Sequence, residues 1–108
     1  MQAGRYGRAL EYEEAALGAL PGSAGGERRA AIEDLRGIAW LGLRDYSRAR
    51  QSFERGLELR RGAGERADLT RSWMFLGRTE WERGDPAAAL EKLETAVAQA
   101  RQRDNRVA

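Results

Sequence analysis

Residues 73–96 read WMFLGRTEWERGDPAAALEKLETA, and this stretch decides the fold. Asp85 carries the short oxygen-bearing side chain that caps a helix, and Pro86 follows at the first helical position, where a missing N–H costs nothing. Gly84 just before them suits the end of an upstream helix. Apolar and small residues recur at helical spacing on both sides: Leu69, Trp73, Leu76, Gly77 and Trp81 upstream, Ala89, Leu93, Ala96 and Val97 downstream. The connections at Pro21–Gly26 and Arg61–Gly64 are short, rich in Gly and suited to antiparallel neighbours.

Shifting the chain by 40 residues against itself brings the pattern back. Ala9, Ala49 and Ala89 coincide, as do Glu14, Glu54 and Glu94, then Leu17, Leu57 and Val97, and finally Ala16, Gly56 and Ala96. Gly37 meets Gly77 and Asp45 meets Asp85, while Tyr6 meets Tyr46. The matches fall at small and apolar positions, where a packing repeat needs them. The expected organisation is one domain over 1–108, with a half repeat at 4–20 and full repeats at 27–61 and 65–103. Within the repeats, first helices are expected over roughly Glu27–Leu43 and Glu65–Arg83, and second helices begin at Arg44-Asp45-Tyr46 and at Gly84-Asp85-Pro86. About five helices result. Gly37 and Gly77 sit mid-helix, where glycine costs about 1 kcal/mol relative to alanine, so the same sacrifice made twice predicts that a neighbouring helix backbone passes close, with Ala9, Ala49 and Ala89 as the matching small residues.

Composition agrees. Of 108 residues, Ala, Glu, Lys, Leu and Arg supply 62, whereas Val, Ile and Thr supply seven, which favours helix over sheet. Breaks at glycines 22, 26, 42, 62, 64 and 84 exclude one long coiled coil. With no Cys and no His, zinc centres, thiol nucleophiles, disulfides and His-based triads are excluded. No apolar run has the length of a membrane span and no signal-peptide pattern opens the chain, so a soluble cytoplasmic protein is the expectation. Eighteen arginines and one lysine face seventeen acids, for a net charge of +2. Arginine over lysine, with abundant Ala and Gly, suggests a GC-rich bacterial source. The charges interleave at i,i+3 and i,i+4, as in Arg50–Glu54 and Arg78–Glu82, which fits solvated helix faces better than a nucleic-acid stripe.

Helix pairs with small residues at fixed places resemble the tetratricopeptide repeat. The last unit carries the pattern best, in Trp73, Leu76, Gly77, Gly84-Asp85-Pro86, Ala89, Leu93 and Ala96. The middle unit has Gly37, Trp40 at the usual tyrosine position, Asp45-Tyr46, Ala49 and Phe53; it departs with Arg36 where leucine is usual and Gly56 where alanine is usual. The period is longer than the family's common one and is similar to that of kinesin light chains and of sensor arrays in bacterial regulators. The resemblance implies an all-α fold, antiparallel helical hairpins stacked as a short right-handed solenoid.

It also implies a non-catalytic scaffold that binds a peptide or partner protein on the concave face lined by the first helices, without cofactor or metal. Carried onto this chain, that face comprises Asp34 and Ile38 from one helix and Arg71, Met74, Arg78 and Trp81 from the next. Two guanidinium groups beside an indole could grip an acidic or C-terminal carboxylate segment. Asp34 and Ile38 do not match the Lys/Asn clamp of chaperone-binding members, so chaperone tails are not the expected ligand. Alternatives are a peptide-sensing segment of a bacterial regulator and, less favoured, a nucleic-acid reader, whose equivalent positions (Asp34 and Met74; Ile38 and Arg78) should agree but do not. An enzyme is not expected: adjacent carboxylates such as Glu13 and Glu14 point different ways on a helix. The first helix carries Tyr6, Leu10, Leu17 and Leu20 with no helix before it, which predicts a longer array, a homo-oligomer held through those residues, or a helix turned to pack its apolar residues inward, the first two being favoured.

Overall fold

The computed structural model of the chain describes residues 7, 10, 26–64 and 67–107. Among them are four helices and no strand: α1 Gly26–Gly42, α2 Tyr46–Arg61, α3 Thr70–Arg83 and α4 Pro86–Val107. The expected opening helix at 4–20 lies outside the described residues, apart from Gly7 and Leu10. No described helix is long and apolar enough to cross a membrane.

Both inter-helix turns obey the same chemistry one period apart. The Asp45 side chain accepts from the Arg48 N–H at 3.1 Å and that of Asp85 from the Ala88 N–H at 3.0 Å, capping α2 and α4. The Asp45 N–H reaches back to the Trp40 carbonyl, and the Asp85 N–H to the Glu80 carbonyl, each at 2.9 Å. Such bonds satisfy carbonyls orphaned at the ends of α1 and α3. Each turn needs one left-handed residue, and it falls at Gly84 (φ 93°) in the second turn but at Arg44 (φ 61°) in the first. A side chain there is strained. Arg44→Gly is therefore expected to raise stability by about 0.5–1 kcal/mol, read as a higher denaturation midpoint. An unchanged or lower midpoint would mean that the Arg44 side chain offsets its own strain.

Within each hairpin the contacts run antiparallel. Gly26 lies against Leu59, Gly56 against Ala30 and Asp34, and Gly37 against Phe53, while Gly77 lies against Leu93 and Ala89. Gly37 and Gly77 thus face residues that are themselves one period apart. The reason for glycine differs in detail from the expected approach of two backbones. At Gly37 a Cβ would stand 2.4–2.7 Å from the Phe53 ring, and at Gly77 it would stand 2.8 Å from the Leu93 side chain. What occupies the missing methyl's place is mainly a side chain, with the Ala89 carbonyl oxygen next at 3.4 Å from Gly77.

The two hairpins, α1–α2 and α3–α4, join chiefly through α2 and α3. Leu41, Ala49, Phe53, Leu57 and Leu76 form the core, flanked by Ile38, Trp40, Tyr46, Leu69, Trp73 and Phe75. Phe53 and Phe75 stack across the joint, ring centroids 4.8 Å apart and nearly parallel. The α3 helix starts at Thr70, later than Glu65, where periodicity alone begins it. Two local features explain the delay: Gly64 takes a left-handed φ of 115°, and the Asp68 carboxylate captures the Thr70 N–H at 3.0 Å.

Candidate functional site

The α3 helix brings four sequence-predicted residues onto one face. Arg71, Met74, Arg78 and Trp81 follow at spacings of three, four and three, and all are exposed, Trp81 by 66% and Met74 by 53%. Trp81 is the most exposed large apolar side chain among the described residues. Arg78 is held loosely by Glu82, one turn on, at 3.8 Å. A long exposed row of two cations, a thioether and an indole is chemically suited to a negatively charged segment with an apolar flank.

The two residues expected from α1 stand elsewhere. Ile38 packs half-buried against the core, and Asp34 is buried, 4% exposed. Asp34 is consumed by an internal network centred on Arg60, which is itself 2% exposed. The Arg60 Nη2 donates to Asp34 Oδ2 at 2.7 Å and to Glu27 Oε1 at 3.1 Å; its Nε donates to Glu27 Oε2 at 3.1 Å, and its Nη1 to Ser72 Oγ at 2.8 Å. Three helices are thereby pinned: α1 through Glu27 and Asp34, α2 through Arg60, α3 through Ser72. Burial pushes the Asp34 carboxyl above its usual range, opposed by the hydrogen bond and charge of Arg60 and by the charge of Arg71. For Arg60, burial works against the charge, but hydrogen bonds to Asp34 and Glu27 outweigh it and raise the pKa further. Asp34 belongs to the scaffold rather than to an open binding face.

That network also accounts for the glycine at position 56. A Cβ on Gly56 would stand 3.0 Å from Asp34 Oδ1, an oxygen with no hydrogen-bond partner. A carboxylate fills the place that a methyl at 56 would take. Sequence reasoning missed Arg60 and Ser72, although Gly56 was the signal: it marks where something polar and bulky comes in from α1. A second buried carboxylate, Glu80, is matched by Arg83 at 2.6 Å and by Arg50 of α2 at 3.1 Å.

Of the residues expected to mediate self-association, Leu10 is 7% exposed, and Tyr6, Leu17 and Leu20 lie outside the described residues. An open groove of about 770 Å³ runs between the start of α1 and the end of α2, lined by Arg29 and Arg55 and by Glu33, Glu54 and Glu58. Its mixed charges favour no one ligand, and the α3 row does not line it. Compared with known proteins, the chain matches no family model, no curated protein and no solved structure.

Proposed function

We propose that the chain is a non-catalytic interaction module, a tetratricopeptide-like solenoid of helical hairpins whose α3 face holds an acidic or carboxylate-ended segment of a partner protein. The observation that carries this reading is the exposed row Arg71, Met74, Arg78 and Trp81 on one face of α3. The repeated turn at Arg44-Asp45 and Gly84-Asp85 supports a repeat of like hairpins, since the same turn chemistry closes each helix pair one period apart. Guanidinium groups bind carboxylates through short, charge-assisted bonds, and the indole adds apolar contact beside them.

Fluorescence anisotropy with a labelled acidic peptide, free at its C-terminus, tests the reading. The double variant Arg71→Ala/Arg78→Ala should weaken binding about tenfold or more, and Trp81→Ala should weaken it by a similar factor. Unchanged affinity in both variants would refute the site. Tighter binding of an oligonucleotide than of any acidic peptide, with a steep salt dependence, would move the reading to nucleic acid.

A further inference from the structure

We propose that successive copies of this chain pack head to tail, the α4 of one copy on the α1 of the next, repeating between molecules the α2–α3 contact seen within one. In α2, Phe53 and Leu57 are 0% and 5% exposed because α3 lies against them. Their counterparts one period on, Leu93 and Val97, are 41% and 50% exposed, and Leu90 on the same face is 59% exposed. The α4 helix therefore presents the stripe that α2 buries.

The residues themselves say which helix fits that stripe. Three contacts tie α2 to α3: the Phe53–Phe75 stack at 4.8 Å, the Arg50–Glu80 ion pair at 3.1 Å and the Arg60–Ser72 hydrogen bond at 2.8 Å. Moving the α2 partners forward by one period gives Leu93, Leu90 and Ala100 on α4. Moving the α3 partners back by one period gives Leu35, Trp40 and Ile32 on α1. Each polar pair of the internal joint becomes an apolar pair, Leu90 with Trp40 and Ala100 with Ile32, and the aromatic stack becomes Leu93 with Leu35. Both sides have changed together. A helix like α3 would instead bring Glu80 against Leu90, where the cation that Arg50 supplies within the chain is absent and only Arg83 of its own helix remains. Leu35, the residue that would meet Leu93, is 51% exposed on α1.

The rival for α1 is the chain's own opening segment, since Leu10 and Leu20 stand one period before Arg50 and Arg60, and Leu10 is buried. In register, α4 is apolar at all four of these positions (Leu90, Leu93, Val97 and Ala100), whereas that segment has Leu10, Glu13, Leu17 and Leu20. The α4 helix is the better complement. Because the two surfaces differ, the contact does not close on itself, and growth continues past a pair.

Light scattering over about a hundredfold dilution series of the full chain tests this. The wild-type mass should climb beyond twice the 12.0 kDa of one chain as concentration rises. Leu90→Arg and Leu35→Arg should each hold the protein at one chain mass with unchanged helical circular dichroism. Arginine is safe at 90, because α2 already carries Arg50 at that register. Should Leu35→Arg lose helicity, Leu35→Gln serves in its place. An equal mixture of the two variants should form a one-to-one pair and stop there, each supplying the face the other lacks. A wild-type chain that stays at one chain mass throughout overturns the proposal and gives α1 to the opening segment. Dimers of Leu35→Arg, with none of Leu90→Arg, overturn it in favour of a symmetric α4–α4 contact. Peptide binding at Arg71 and Arg78 is independent of either result.

Discussion

Replacing Arg60 by alanine is expected to remove about 3–5 kcal/mol of stability at neutral pH, because it strands the buried Asp34 carboxylate without its cation. A domain of this size has only about 5–15 kcal/mol in total, so the variant should be on the edge of unfolding. Chemical denaturation followed by circular dichroism measures the loss. The sign of the pH dependence separates this cause from lost packing. Asp34 has a folded pKa above its ordinary 3.8, chiefly through burial. Its contribution is therefore fully present below 3.8 and is lost as pH rises through the raised value. Without Arg60 the shift grows, so acidification should return part of the loss in Arg60→Ala, and Asp34→Asn in that background should return it at neutral pH. Asp68 has the opposite sign: hydrogen bonds from Thr70 lower its pKa, so its contribution holds above 3.8 and fades on acidification. If Arg60→Ala shows the same deficit at every pH, the buried charge is not the cause. The second hairpin indicates a milder alternative, since it carries Met74 and Ala100 where the first has Asp34 and Arg60. Apolar replacement of both partners leaves no charge behind, so Asp34→Met/Arg60→Leu should be far less damaging than Arg60→Ala alone.

Much of this was legible without coordinates, and the division follows range. Asp45 and Asp85 cap helices through their own backbone neighbours, so their role is written in a few adjacent residues. Gly37 and Gly77 announced a close approach because a helix tolerates glycine poorly and here tolerates it twice. The exposed α3 row was readable for the same reason, since helical spacing alone puts 71, 74, 78 and 81 on one side. Asp34 was not. Its fate depends on Arg60, on another helix, and a buried ion pair has no signature at its own position. The late start of α3 was hidden too, because Asp68 competes for the Thr70 N–H where periodicity favours helix.

Truncating Phe53 to alanine is expected to cost about 3–5 kcal/mol, the usual range for a fully buried aromatic. The equivalent cut one period later, Leu93→Ala, should cost about 1 kcal/mol in the monomer, because Leu93 is already 41% exposed. The glycines opposite them make this a sharper test. Gly37→Ala gains about 1 kcal/mol of helix propensity but drives a methyl into a ring fixed against Phe75, an overpacking that costs about 1–3 kcal/mol. It should destabilise in the wild-type background. In Phe53→Ala the ring is gone, so the same substitution should become stabilising, a coupling of opposite sign that independent sites cannot produce. Gly77→Ala meets a leucine with open space on one side, which can swing outward, and should stay within about 1 kcal/mol of wild type. Denaturation midpoints of the four single variants and the Gly37→Ala/Phe53→Ala double variant decide the matter. Equal effects at Gly37 and Gly77 would mean that the two hairpins are packed alike on both sides, against the exposure at Leu93.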